Sequence, residues 1–588
     1  MTHKRILSIL LASMLCAAAP QQLNFDNSQR VRDLMRAGNL YLSLQDALAL
    51  AIENNLDIEL QRFNLPIAAT ELTRTRGGGL TRGLNFNLLE VPAGVGGPLS
   101  PLVVNRANTT TATSGASVAA NALELGVLGE PITNLSMQGT VGQSAGTAVP
   151  IYDPAVTGQL NWAHQTTPQA STFTTGTNAL VSNVVTGNAG YLQGFSSGTQ
   201  VSANFANSHQ NVNSRNVDVN PFTGSSLGFS VTQPLLRGFG SSLNRRFIRI
   251  AGNEQRISSL LFQQQLIQTV YGVIRLYTDF VALYEDEKVK QETVTLAEKL
   301  LSDTRAQVEE GTLAQVELTR ANAQVFSTRQ DLINSTGLRE EQEAILKTVL
   351  TRDKNQEIRS VRIVPTDALT ISPSEDVRPI QDLISDAIAN RPDLGQARIQ
   401  VENSIIGLQG ARNATLPEVD LVGGMTNSGL NGGYGGVLGQ VLARDYPTYG
   451  IGLQVTVPIH NRIAEADLAR DELQVKQSQV RVKQLQNQAQ LEVEDALIAM
   501  RRARASYDAA VQARKFQQES LEAEQAKFEV GASTSFFVIQ YESLLAQAKS
   551  TEVAAMSSWV KAKAALQRAT GTILDQHQIS VESAVKRK

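Results

Sequence analysis

The sequence predicts a predominantly α-helical chain made of two strand/long-helix repeats, and three observations predict it. Three landmarks recur in the same order in both halves of the 588-residue chain. Between them lie stretches almost free of glycine and proline, long enough for helices of exceptional length. Ahead of each stretch stands a segment that alternates apolar with small or polar residues. Ordered self-similarity marks a duplicated architecture, and periods near 3.6 and 2 separate helix from strand.

Residues 1–18 read as a secretory signal peptide. Lys4 and Arg5 supply positive charge, Ile6 to Leu15 an apolar stretch, and Cys16-Ala17-Ala18-Ala19 the small residues of a cleavage site. The alternative is an ordinary buried N-terminal helix. Cys16 is the only cysteine. Its acylation would make a lipoprotein, whereas cleavage after Ala18 or Ala19 leaves a mature chain without cysteine. Export without disulfides fits a bacterial envelope protein. Beyond the signal no apolar run reads as a transmembrane helix, so any membrane crossing would have to use strands.

The first repeat spans residues 40–350 and the second 380–572, with a connection at 351–379 and a tail at 573–588. The first landmark is Leu44 to Ile58, recurring as Ile380 to Leu394. In both, an apolar helical stripe runs into Asn-x-x-Asp, a helix stop followed by a new N-cap. The second is Leu227 to Leu235, recurring as Ile451 to Ile459. Each is a period-two strand running to a proline, Pro234 or Pro458, that hands over to a helix. The third is the turn around Gly311-Thr312-Leu313, recurring at Gly531-Ala532-Ser533. The glycine stops one helix, and Thr312 or Ser533 caps the next. Proline and glycine stand 77 residues apart in the first repeat and 73 in the second.

These landmarks assign helices to 44–75, 245–310 and 313–350 in the first repeat, and to 380–413, 462–530 and 533–571 in the second. Arg462 to Val530 holds neither glycine nor proline over 69 residues. As a helix it would reach roughly 100 Å. Its partner from Asn253 to Glu310 holds one glycine, Gly272. Val493, Leu497, Met500, Ala503, Tyr507 and Val511 form a narrow apolar stripe, the sign of coiled-coil-like packing.

Strands are assigned to 77–236 and 417–458. The first region carries a long insertion rich in Gly, Ser, Thr and Asn. Alternating stretches at 156–162 and 201–205 favour strands and outward-facing loops over a disordered linker. Open sheet edges are not tolerated in lipid. Four amphipathic strands are too few for a barrel with a usable lumen, so several chains would have to share one.

Composition excludes several functions. Lys and Arg total 52 against 55 Asp and Glu, a net charge of −3, and no basic run suggests nucleic acid. His3, His164, His209, His460 and His577 are scattered without metal-ligand spacing. Gly77-Gly78-Gly79 lacks the Lys-Ser/Thr of a phosphate loop. No catalytic constellation and no cofactor motif stands in a recognisable frame. A secreted filament or surface-layer protein, and a periplasmic adaptor with one helical hairpin, are the rival readings.

The doubled Leu-x-x-Ala-Leu…Asn-x-x-Asp opening, the strand ending in Gln-Pro-Leu-Leu or Val-Pro-Ile, and the Val-x-x-Gly-type turn resemble the TolC-type outer membrane efflux proteins. The resemblance covers residues 40–76 and 225–575. It implies a homotrimer in which each protomer lends four strands to one outer-membrane β-barrel. A periplasmic α-helical barrel with a small equatorial α/β layer would continue it. The implied partners are outer-membrane lipid, a periplasmic adaptor and an inner-membrane transporter, for efflux or type I secretion. The duct itself would need no catalysis, cofactor or metal. The turns at Gly311, Thr312, Leu313 and at Gly531, Ala532, Ser533 would form the periplasmic tip that docks the adaptor. Relatives commonly place acidic residues at the constriction after the second turn; here Phe537 and Gln540 stand there. Phe536 or Phe537 would then make an apolar constriction, unless both lie in the interhelical core. Glu317 after the first turn is acidic, and a solvated helix face explains it equally.

Overall fold

The computed structural model describes residues 25–83, 88–92, 94–95, 146–311, 313–352, 358, 360–368, 371, 378–530 and 532–586. The signal segment with Cys16, Thr312, Gly531 and most of the 353–377 connection lie outside the described residues. Helices of ten residues or more are α1 (Leu44–Asn54), α2 (Leu56–Arg76), α3 (Arg246–Glu309), α4 (Gln315–Leu350) and α5 (Ile380–Asn390). They continue as α6 (Pro392–Ala414), α7 (Tyr434–Ala443), α8 (Arg462–Glu529) and α9 (Ser535–Ala569). The strands are β1 (Met35–Arg36), β2 (Asn39–Leu42), β3 (Ala155–Pro168), β4 (Ala179–Gly194), β5 (Gln200–Val212), β6 (Phe222–Pro234), β7 (Arg362–Pro365), β8 (Glu418–Asn431) and β9 (Tyr446–Thr456).

The two long helices run unbroken, α3 over 64 residues and α8 over 68, about 96 and 102 Å of rise. α3 packs against α2, α4, α6 and α9, and α8 against α5, α6 and α9. One expectation needs correcting. α3 does contain a stretch apolar enough to qualify as a membrane span, with mean hydropathy 1.2, but 78% of it is buried by the chain itself. Phe262, Leu266, Ile274 and Phe280 pack there with Leu50, Ile58 and Leu346. The apolar surface is satisfied by protein, so this stretch is a core spine.

Around that spine sits a mixed layer. β1, β2 and β7 form one sheet, with β2 and β7 parallel. Leu42 and Ile363 enter the same core as Ile573, Leu574 and Ala584 of the C-terminal tail. Each repeat breaks its first helix above this layer, by different chemistry. Asn55 caps α2 by accepting from the Asp57 and Ile58 amides, while Asn54 donates to the Leu350 carbonyl at 3.1 Å. In the second repeat Pro392 starts α6, and the preceding Arg391 pairs with Asp393 at 2.8 Å and with Glu492 on α8.

The large sheet corrects the strand count. Among the described residues it holds six antiparallel strands in the order β3-β4-β5-β6-β8-β9, where four were expected. β3 and β4 form a hairpin inside the insertion, joined to β5 by 13 rungs from Ser182 to Gly194. Pro234 is the last rung of β6, opposite Asp420. Pro458 follows β9 by two residues. The 417–458 region is also not all strand. α7 interrupts it, burying Val437 and Val441.

Part of the insertion faces the helices and not the outside, a further correction. Gln265 on α3 exchanges two hydrogen bonds with the Leu89 backbone, at 3.0 and 2.7 Å. Gln342 on α4 accepts from the Val95 amide at 2.8 Å. Buried amides need such partners, so the segment is held on the helical layer. Gly272 makes room for it, because a Cβ there would stand 2.5 Å from Val91.

Candidate functional site

Cross-strand partners share a face of a sheet, so the register sorts the six strands into two surfaces. One carries Val156, Leu160 and Trp162 of β3, Val185 and Tyr191 of β4, Val201 and Phe205 of β5, Leu227, Phe229 and Val231 of β6, Leu421 and Met425 of β8, and Tyr449, Ile451, Leu453 and Val455 of β9. The other carries Ser, Thr, Asn, Gln and Gly almost throughout, including Gln159, Asn188, Ser202, Ser226, Thr426 and Gln454. The polar face is hollowed, with about 660 Å³ of space lined by Thr186, Asn188, Ala206, Ser208, Ser226 and Ser428 among others. A wall that is apolar outside and polar inside is that of a water-filled membrane barrel.

The register also fixes the tilt. Following partners across the sheet links Gln159, Asn188, Ala206, Ser226, Ser428 and Tyr446. The apolar band is centred near residue 159 in β3 and 452 in β9, a stagger of six residues over five strand steps. With ~3.3 Å per residue and ~4.8 Å between strands, that is a tilt of about 40°, as closed barrels require.

Beyond the band the outer face turns polar. His164 meets Asn183 at 2.6 Å, Asn207 donates to Ser225 at 2.7 Å, and His209 meets Thr223 at 2.8 Å. Tyr434 of α7 stacks on His209 at 5.4 Å. Sequence reading missed α7; its signal was Val437, Leu438, Val441 and Leu442, apolar at helical spacing. The charged side chains of the six strands are Glu418 and Asp420. Both lie on the polar face, opposite Thr456 and Gln454, near the helical end.

At the far end each long helix reverses into a hairpin. Gly311 takes φ +80°, the left-handed conformation that suits glycine, and the Leu313 amide returns to the Gln307 carbonyl at 3.3 Å. In the second turn the Ala532 amide donates to the Lys527 carbonyl at 2.8 Å. Ser533 hydrogen-bonds Glu524, whose other oxygen meets Lys527 at 3.0 Å. These two donors hold the Glu524 carboxyl below the usual range.

The structure joins the two tips through a predicted residue. Glu317 accepts from Ser535 at 2.6 Å and pairs with Arg320 at 2.6 Å, so it is a tie between hairpins and not a free solvated carboxylate. Phe536 and Phe537 pack edge to face at 5.5 Å, with Arg320 over the Phe536 ring at 6.0 Å. They remain 49% and 46% exposed. Val538 and Leu545 fill the protomer's interhelical core instead, with Leu300 and Leu521. Gln540 is exposed. Sequence reading also passed over Glu542, a buried carboxyl between Val538 and Leu545 that burial pushes up to about 7. Its signal was a glutamate inside an apolar i, i+4, i+7 stripe. Among the described residues, no group of His, Cys, Asp and Glu is placed to hold a metal ion.

Comparison with known proteins follows the same outline. No curated protein matches the chain in sequence. The fold resembles the Campylobacter jejuni CmeC outer membrane channel, with TM-score 0.58 and 15% identity over 97% of this chain and 94% of that one. It also resembles CusC, with TM-score 0.56 and 14% identity over 94% and 99%. The open-state Neisseria gonorrhoeae MtrE outer membrane channel gives TM-score 0.53 and 14% identity over 95% and 96%. The profile of the outer membrane efflux protein family matches residues 199–352 and 383–572, more than half of the chain. The chain therefore belongs to the outer membrane efflux protein family, as its doubled motifs implied, and is an outer-membrane channel protein with a long periplasmic helical extension.

Proposed function

We propose that three copies of this chain assemble into one exit duct, which receives cargo from a periplasmic adaptor and an inner-membrane transporter and releases it outside. The observation that carries this reading is an uncovered apolar stripe on α8. Leu473, Val480, Leu491, Ile498 and Phe516 are each more than half exposed. Their spacings of 7, 11, 7 and 18 residues all return to one face of a 3.6-residue helix. A stripe of roughly 65 Å left in water is what a neighbouring copy covers.

In this assembly the turns at Gly311–Leu313 and Gly531–Ser533 form the tip that meets the adaptor. Phe536 and Phe537 converge there as an apolar constriction that gates by excluding water. The outer barrel lumen is neutral and hydrophilic, with a Glu418/Asp420 ring at its base that favours cations. The work of transport lies in the transporter; the duct lowers no chemical barrier of its own.

The test is mass and location. The protein should fractionate with outer-membrane lipid and run as a trimer in mild detergent. A soluble or monomeric protein would defeat the proposal.

A further inference from the structure

Resting on that trimeric reading, we infer that the duct closes as an eighteen-stranded barrel, six strands from each copy, with β9 of one protomer pairing antiparallel to β3 of the next. Four observations point there. The first is the boundary of the family match, which begins at residue 199, the start of β5. The strands inside the matched residues are β5, β6, β8 and β9, while the β3–β4 hairpin lies before them, at the edge where a neighbouring copy's β9 would otherwise dock.

Second, the hairpin is built as barrel wall. Val156, Leu160 and Trp162 continue the apolar band, while Thr157, Gln159 and Asn161 continue the polar face. A loop draped outside the barrel would not need this alternation. Third, among the described residues both outer edges are unpaired, since the sheet starts at β3 and stops at β9. Unpaired backbone groups are not tolerated at membrane depth. β3 runs away from the helices and β9 runs back into α8, so the two edges meet antiparallel, as β-barrel closure needs.

Fourth, the widths agree. The helical layer beneath the sheet packs as α2, α3, α6 and α8 side by side, roughly 36 Å at about 9 Å per helix. Six strands ~4.8 Å apart and tilted by about 40° span about 38 Å, whereas four span only about 25 Å. Six strands per copy seat on the helical ring without a step. The backbone ring is then about 36 Å across, against about 24 Å for twelve strands. Such a lumen holds an open water channel and passes bulky polar cargo once the tip opens.

Cysteine cross-linking tests the seam. The mature chain supplies no competing thiol if the signal is cleaved after Ala18, because Cys16 is the only cysteine. Double variants pair Gly450→Cys or Gly452→Cys on β9 with Gln159→Cys or Asn161→Cys on β3, or with Asn204→Cys on β5. All these positions lie on the polar face, so folding is spared. The expected result is a disulfide-linked trimer from at least one β9–β3 pair and none from the β5 pairs. Cross-links through Asn204→Cys would show the hairpin displaced from the seam and overturn the inference while leaving the trimer standing. Trimers with no cross-link at any pair would overturn it too. A dimer, or a monomer, would instead sink the trimeric reading on which it rests.

Polymer exclusion gives a second readout without substitution. With poly(ethylene glycol) added on the barrel side of a bilayer holding the wild-type protein, polymers that fit a ring about 36 Å across at the backbone should enter and lower the conductance. A cut-off matching a ring about 24 Å across would contradict the inference.

Discussion

The two ends of the molecule treat the same duplication differently. At the helical end the repeats stay almost equal, 64 residues in α3 against 68 in α8 and 36 in α4 against 35 in α9. At the sheet end the first repeat gives four strands and the second gives two. The difference has a physical cause. A long helix packs on neighbours along its whole length, so an insertion rotates every contact beyond it. A sheet edge can take two more strands without disturbing any existing rung, provided both new faces keep the alternation. The sheet end is therefore free to change its width while the helical end keeps its packing.

The sheet end depends first on its two faces being distinct. Ile451→Lys puts a charge on the apolar face and should cost about 2–4 kcal/mol near the bilayer midplane, read as lost trimer in heated detergent. Thr448→Lys, on the opposite face of β9, should be tolerated. Equal effects would abolish the distinction between wall and lumen.

At the helical end the sharpest test is pH. Glu254 on α3 is 3% exposed with one carboxylate oxygen unpartnered. Burial first, and the charge of Glu71 second, push its carboxyl up to about 7. A raised carboxyl stabilises the fold fully below its unfolded range near 4.5, and that contribution is lost as pH rises through about 7. Glu254→Gln should thus be more stable than wild type at pH 8 by up to about 3 kcal/mol, with the gain gone at pH 4. A gain independent of pH, read from thermal unfolding, would refute the cause assigned.

Smaller effects follow at the junction and the tip. Gly272→Ala should cost about 1–3 kcal/mol by overpacking Val91, and Val91→Gly, which removes the Cβ that would stand 2.5 Å away, should recover part of the loss. Phe536→Ala with Phe537→Ala should raise single-channel conductance with little change in thermal stability, since neither fills the protomer core. Unchanged conductance would move both rings from the gate to a subunit contact.

Much of this was legible in the residues. Glycine-free stretches, prolines after alternating strands and the doubled Asn-x-x-Asp break located the long helices and their turns, because those signals are local. β4 was not legible: its lumen face mixes Ser182, Val184, Thr186 and Asn188 with Gly190, and the alternation shows only once β3 is laid beside it. Nor did the sequence disclose that Gln265 and Gln342 hold the insertion on the helices, or that Ser535 reaches Glu317 across 218 positions. Those partners are set by tertiary contact. At the proposed constriction, Phe536 and Phe537 were readable as candidates, but their freedom from the core was visible only after Val538 and Leu545 claimed it.

The proposed trimer encloses a continuous aqueous path through the outer membrane. That path is tested most directly by recording single channels from purified trimer in a planar lipid bilayer. Discrete conductance steps with a cation preference that Glu418→Gln and Asp420→Asn weaken are the predicted result. A folded, membrane-inserted trimer that passes no current, in the wild type or with both tip phenylalanines replaced, would contradict it.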